Sequence, residues 1–247
     1  MSDLFGATRT FVARDHALIA PDGHVPSLPP GWTGAEGVVL ISPAMNGPRF
    51  CQYLVRAGDG CAAKPAPSGV ERLVYVLGGE AAVDDQTLTA DGFAYLPPGD
   101  AGELRASAHA ELLIFEKRYE VLDGSGMPER VVGRLQDASS EPFLGDPDAV
   151  LATLLPTDER FDMAVNVFTY QPGAALPFVE THVMEHGLYM HAGQGVYRLG
   201  ESWYPVKAGD TIWMASYCPQ WFTAMGKEPA VYIYYKDVNR DPLNLPA

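Results

Sequence analysis

The sequence predicts an all-β chain built as two tandem β-barrels, and three observations carry that prediction. Glycine (25) and proline (21) are spread along all 247 residues, a density that breaks helices and suits short strands joined by turns. The apolar runs are short and rich in β-branched and aromatic residues, as expected of a barrel or sandwich. The chain also repeats itself, which indicates two copies of one β unit.

In chain order, the strand candidates are residues 38–42, 51–55, 73–77 and 112–115 in the first half. In the second half they are 163–170, 187–191, 195–198, 211–214 and 230–235. Helical periodicity is weak throughout; its best candidate is the short run 147–155 (PDAVLATLL). The repeat sets 70–80 (VERLVYVLGGE) against 184–194 (MEHGLYMHAGQ), 90–99 against 207–215, and 113–118 (LIFEKR) against 232–237 (YIYYKD). The organisation expected is an N-terminal unit over 1–121, a connection rich in Gly, Pro, Ser and Asp over 122–147, and a C-terminal unit over 148–247.

Composition narrows the function. A net charge of −14 and a pI near 4.7 argue against a nucleic-acid groove or an anionic membrane surface, both of which need basic patches. At 47% hydrophobic residues the chain can bury a sizeable core. Its longest apolar stretches are far short of the ~20 residues of a membrane span. The first residues carry no secretory pattern. Cys51, Cys61 and Cys218 make an odd count without CxxC spacing, which fits reduced thiols in the cytoplasm better than a disulfide framework. Pairing of Cys51 with Cys61 is the alternative.

Of six histidines, His182, His186 and His191 fall within ten residues, in the window 180–191 (ETHVMEHGLYMH). On a strand, residues two apart share a face, so Glu180 and His182 point the same way. A bend near Met184 and Glu185 returns His186 to that side. One carboxylate and two imidazoles converging on a point make a metal half-site. Glu185 and His191 have the opposite parity to His186 and are expected to lie outside the ligand set.

This window resembles the first motif of the cupin family, jelly-roll β-barrels in which a Gly precedes clustered His and Glu ligands and a second Gly follows. Here Gly173 and Gly193 bracket the motif, with Glu180, His182 and His186 at ligand positions in shuffled order. The second cupin motif then implies Gln220, in Cys218-Pro-Gln-Trp221, as the fourth ligand. Aligning Gly79 with Gly193 puts Ala66, Ser68 and Arg72 at the ligand positions of the first copy, so that barrel is expected to be metal-free. A bicupin with an empty first half, E-T-H-x-x-E-H-G in the second and the closing run 234–241 (YYKDVNRD) resembles the (S)-ureidoglycine aminohydrolase family of purine (allantoin) catabolism.

That resemblance implies a Mn²⁺ site, with Fe²⁺ or Zn²⁺ as alternatives, and hydrolysis of ureidoglycine to ureidoglycolate and ammonia. It places Tyr197, Tyr232 and Lys236 at substrate-contacting, catalytic positions, with Lys236 handling protons and the tyrosines orienting the ureido end. The donor chemistry agrees: one carboxylate, two imidazoles and one amide oxygen with open positions suit an octahedral Mn²⁺ or Fe²⁺ better than a closed zinc site. Lys236 would otherwise be an ordinary solvated charge, and Arg240 could bind a carboxylate or pair with Asp237 or Asp241. The alternative functions are another bicupin metalloenzyme, such as a dioxygenase or isomerase acting on a small carboxylate or sugar acid, and a non-enzymatic ligand-binding cupin. The partner expected is a small-molecule substrate, and exposed sheet edges predict a homo-oligomer.

Overall fold

A computed structural model describes residues 8–241 and 243. They form antiparallel strands with three single-turn 3-10 helices. The strands divide into an eight-stranded sheet, a nine-stranded sheet and a three-stranded sheet. No helix among the described residues is long and apolar enough to cross a membrane.

The nine-stranded sheet is built from strands between Trp32 and Arg134 and closes around a core of Val55, Val74, Val76, Leu88, Leu104, Leu112 and Ile114. The eight-stranded sheet faces the three-stranded one (Gln194–Leu199, Ser202–Lys207 and Gln220–Met225), and the two enclose Phe168, Tyr170, Leu188, Tyr197, Phe222, Tyr232 and Tyr234. These are the two β-barrels that the repeat predicts. A third apolar cluster lies between them and draws on both, with Phe50, Tyr75, Tyr95, Leu113 and Phe115 meeting Phe161, Met163, Val165, Ile233 and Tyr235.

Strand period explains the unbroken apolar runs. In Glu111–Arg118, Leu112 and Ile114 face the barrel interior while Leu113 and Phe115 face the other barrel. In Ala230–Asp237, Tyr232 and Tyr234 face inward while Ile233 and Tyr235 face the interface. A strand buried on both faces loses the polar alternation of a half-exposed one. The Tyr235 ring lies 4.1 Å from Phe50 and 6.1 Å from Phe115, centroid to centroid.

Two features depart from the sequence expectations. The run 147–155 is not helical; it is the strand Asp146–Thr153, paired on one side with Ser139–Phe143 and on the other with Met163–Tyr170. Its Ala149 faces one core and its Ala152 the other, so burial on two sides overrides the local helical preference of Ala and Leu. Sheet membership also crosses the chain order. Phe11–Val12 and His16–Ile19 belong to the C-terminal sheet, where Ala17 pairs with Trp213. Of the connection 122–147, Val131–Arg134 joins the N-terminal sheet and Ser139–Phe143 the C-terminal one. All three cysteines are free.

Candidate active site

The strand His186–Ala192 runs between Thr211–Met214 and Ala230–Asp237. In that register His186 stands opposite Lys236 on one side and Met214 on the other. Glu180 and Gln220 are also direct partners, in an isolated bridge whose backbone bonds are 2.8 Å (Glu180 N–H to Gln220 O) and 3.0 Å (Gln220 N–H to Glu180 O). Directly opposite residues place their side chains on one face. His182 lies outside any strand, and the chain bends at Val183 before re-entering the sheet at His186. Its carbonyl is held by the backbone N–H of Tyr217 at 2.7 Å. The segment 181–185 is therefore a braced loop where the sequence alone reads as strand.

All seven residues singled out from the sequence line one cavity of about 200 Å³: Glu180, His182, His186, Gln220, Tyr197, Tyr232 and Lys236. Tyr234, Phe168, Leu188, Met184, Leu151 and Phe143 complete the wall. Tyr234 was legible, since it shares the parity of Tyr232. Phe143 comes from the connection 122–147, which thus reaches the cavity; no local signal in its sequence marks it.

The imidazoles of His182 and His186 stack with centroids 4.7 Å apart, and His186 stacks on Tyr234 at 5.5 Å. His182 Nδ1 lies 3.2 Å from the Met184 carbonyl oxygen. A proton on Nδ1 donated there leaves Nε2 with the lone pair as an acceptor, the tautomer a metal ligand needs. His182 Nε2 is 2.8 Å from the Gln220 carboxamide Nε2. Two buried atoms beside it, His186 Nε2 and Gln220 Oε1, have no hydrogen-bond partner. Buried polar atoms are almost always satisfied, so two orphaned donor atoms beside a carboxylate and a second imidazole fit a cation.

The electrostatics agree with that fit. Burial holds the His186 imidazole well below its usual range, helped by His182 and Lys236. Burial also lowers His182, with Lys236 adding to it. Both rings are thereby kept neutral, the ligating form. Burial pushes the Glu180 carboxyl up while Lys236 pulls it down, and a second cation nearby acts in the same sense as Lys236. Burial lowers the Lys236 ammonium against the pull of Glu180. The Lys236 ammonium forms no hydrogen bond or ion pair with a described residue. Burial keeps the Tyr197 and Tyr232 phenols protonated, and Tyr232 shares a 3.1 Å hydrogen bond with Tyr170.

The residues placed outside the ligand set lie elsewhere. His191 points away from the cavity, 4.0 Å from Asp91 of the other barrel. Glu185 is buried against Arg49 and Trp213. Arg240 does not pair with Asp237; its guanidinium donates to the carbonyls of Glu120, Glu159 and Asn239 and to the Tyr119 hydroxyl. Asp237 pairs with Arg49 instead.

Another grouping of metal-type donors, Asp15, His16 and Cys218, brings its ligand atoms within 4.8 Å of one another. There, however, both His16 nitrogens are engaged, Nδ1 with Asp15 and Nε2 with the Tyr204 hydroxyl, each at 2.8 Å. Burial pushes the Cys218 thiol up to about 11, away from the thiolate that binds metal. This cluster reads as a strut tying residues 15–16 to the C-terminal barrel.

In the N-terminal barrel, Arg72 pairs with Glu116 in the register that pairs His186 with Lys236. The Arg72 guanidinium donates to Glu116 at 2.6 Å and to the Lys64 carbonyl at 2.9 Å, and the Tyr53 hydroxyl donates to Glu116 at 3.1 Å. A fixed cation of the protein's own stands where the other barrel has an imidazole.

Comparison with known proteins is consistent with this geometry. Residues 166–235 match the family model described as a cupin domain. The chain is 44% identical over 98% of its length to a probable (S)-ureidoglycine aminohydrolase of Oryza sativa subsp. japonica, covering 79% of that protein. It is 42% identical over the same share to the (S)-ureidoglycine aminohydrolase of Arabidopsis thaliana, covering 82% of it. Among solved structures, a putative glyoxylate-induced protein from Pseudomonas aeruginosa superposes with a TM-score of 0.87 at 31% identity, over 95% of this chain and 92% of that one. With relatives this similar along nearly its whole length, the chain belongs to the (S)-ureidoglycine aminohydrolase family of cupins.

Proposed function

We propose that this protein hydrolyses (S)-ureidoglycine to (S)-ureidoglycolate and ammonia in purine catabolism, at a Mn²⁺ centre held by Glu180, His182, His186 and Gln220. The observation that carries the proposal is the pair of orphaned donors, His186 Nε2 and Gln220 Oε1, in a cavity shared with Glu180, His182 and an unpaired lysine. The names of the relatives supply the substrate. Fe²⁺ and Zn²⁺ are the alternative metals; the mixed donor set with open positions suits Mn²⁺ or Fe²⁺ better than a closed zinc site, and the resemblance to the family supplies the choice of Mn²⁺. When bound, the ion supplies positive charge and Lewis acidity at the polar end of the cavity.

The protein's own groups do the rest. With a net charge of −14, the chain repels an anionic substrate at long range, so capture falls to local cations, and Lys236 is one. The reaction breaks the bond from the α-carbon to the amine and forms one to a water oxygen. The water loses a proton and the leaving amine gains one. Lys236, desolvated and facing Glu180, has the lowered affinity for protons that suits such a transfer. The protonated phenols of Tyr197 and Tyr232 donate to the ureido carbonyl and fix its orientation. Elimination of ammonia to an acyl imine, followed by water addition, uses the same groups and the same balance.

The N-terminal barrel is proposed to be metal-free because Arg72 and Glu116 fill its corresponding position. The functional division remains 1–121, 122–147 and 148–247, the strands at 11–19 being lent to the C-terminal sheet. A homo-oligomer is proposed from the exposed edge strand at Phe11–Val12, and the cytoplasm from three free thiols. The test is freshly generated (S)-ureidoglycine with Mn²⁺-loaded protein, following ammonia and ureidoglycolate together. Turnover that disappears in His182→Ala and after chelation supports the proposal; ammonia at the uncatalysed rate from metal-loaded protein refutes the substrate.

A further inference from the structure

We infer that Arg49, a residue of the N-terminal barrel, is a positioning residue for the metal centre of the C-terminal barrel. The inference rests on the metal reading above. His186 and Lys236 are cross-strand partners, and each is followed or preceded in sequence by a buried or half-buried acid, Glu185 before His186 and Asp237 after Lys236. Arg49 holds both acids at once. Its backbone N–H reaches Glu185 at 3.1 Å, its Nε reaches the same oxygen at 3.2 Å, and its terminal nitrogen pairs with Asp237. The backbone N–H of Glu185 donates to the other Asp237 oxygen at 2.6 Å, and Trp213 Nε1 lies 3.4 Å from Glu185. One guanidinium fork therefore pins the two strands at the position where they present the ligand and the lysine. Because side chains alternate, fixing Glu185 and Asp237 toward the interface fixes His186 and Lys236 toward the cavity.

The N-terminal barrel supplies an internal control. By the same register, Glu71 and Lys117 flank Arg72 and Glu116 as Glu185 and Asp237 flank His186 and Lys236. Lys117 reaches across to Asp162 of the other barrel at 2.5 Å, just as Arg49 reaches across to Glu185 and Asp237. This second node crosses the same interface but backs onto Arg72 and Glu116. An arginine that merely glued the barrels together would be matched in its effects by the second node; one that positions the metal centre would not.

The experiment titrates full-length protein with Mn²⁺, reading the EPR signal of free aqueous Mn²⁺, alongside thermal midpoints and steady-state kinetics. The variants are Arg49→Met, Arg49→Lys and the charge-balanced control Lys117→Met with Asp162→Asn. Partners that orient metal ligands typically change affinity by about 10–100-fold, so Arg49→Met is expected to weaken Mn²⁺ binding at least ~10-fold. Arg49→Lys keeps the charge but not the fork and is expected to recover part of that loss; it carries the test alone should Arg49→Met not fold. The control is expected to lower the thermal midpoint and leave Mn²⁺ affinity within about 3-fold of wild type, a small fraction of the effect of a ligand-orienting partner. Unchanged Mn²⁺ affinity in the Arg49 variants, or an equal loss in the control, overturns the inference. Failure of the wild type to bind Mn²⁺ shows before any variant is made, and overturns the metal reading itself.

Discussion

At Gly187, the residue after His186, the N-terminal barrel packs directly against the strand that carries the candidate site. A Cβ at this position would lie 2.4 Å from Cε2 and Cζ of Phe50 and 2.6 Å from Gln52 Oε1. Ordinary carbon contacts are ~3.5–4.0 Å, so Gly187→Ala must find about 1 Å of room. The Phe50 ring cannot retreat, because it is 1% exposed and packed on Tyr235. The remaining relief is for the strand His186–Ala192 to shift away from the N-terminal barrel, carrying His186 with it. Overpacking of this kind costs about 1–3 kcal/mol. At roughly 2–4 °C per kcal/mol for a chain of this size, the thermal midpoint should fall by ~2–12 °C, with weaker Mn²⁺ binding beside it. Phe50→Leu clears the ring edge, so the double variant should be less destabilised than the sum of the singles by about 0.5–3 kcal/mol. Thermal denaturation of the four proteins followed by circular dichroism measures the cycle. A Gly187→Ala midpoint equal to wild type, or strict additivity with Phe50→Leu, refutes the reasoning.

His182→Ala and His186→Ala should each abolish stoichiometric Mn²⁺ in purified protein, measured by elemental analysis, whereas Gln220→Ala, which removes a neutral ligand, should retain a weaker site. Lys236→Met should bind Mn²⁺ as wild type does while turnover falls by about 10²–10⁴-fold, the usual worth of a positioned proton-transfer group; a rate within threefold of wild type removes Lys236 from the reaction. At the interface, Glu71 is fully buried with Asp162, Lys117 and Tyr95 around it, and burial together with Asp162 raises its carboxyl well above the usual range. The folded state thus keeps a proton that the unfolded chain releases above ~4.3. Stability should fall as pH rises from that range until Glu71 ionises in the folded state as well. Glu71→Gln, which imitates the protonated form, should flatten this slope; urea midpoints at neutral and alkaline pH that move in parallel for both proteins would count against a protonated Glu71.

The candidate ligands were legible because their chemistry and spacing are local. Glu180, His182 and His186 lie within seven residues, and the segment Cys218-Pro-Gln-Trp221 occupies the place of the second motif. The repeat likewise exposed Arg72 at the position of His186, and strand period separates Tyr232 and Tyr234 from Ile233 and Tyr235. The run 147–155, the best helical candidate in a chain read as all-β, proved to be a strand for the converse reason. Its pattern of Ala and Leu carries no record of the two cores that sandwich it, and that burial decides its conformation.

Strand patterning, repeat and donor spacing make it plain along the chain that the protein is all-β, that it is duplicated, and that one half has metal-type donors where the other has none. Which distant residues complete the arrangement follows from the packing of the two barrels. Ala17 pairs with Trp213, Phe143 lines the cavity, and Arg49 holds the acids beside His186 and Lys236. Period and ligand spacing are properties of neighbouring residues, so they can be read along the chain. A contact spanning 136 positions, such as Arg49 with Glu185, follows from how two barrels dock, and docking is set by the joint shape of both apolar faces.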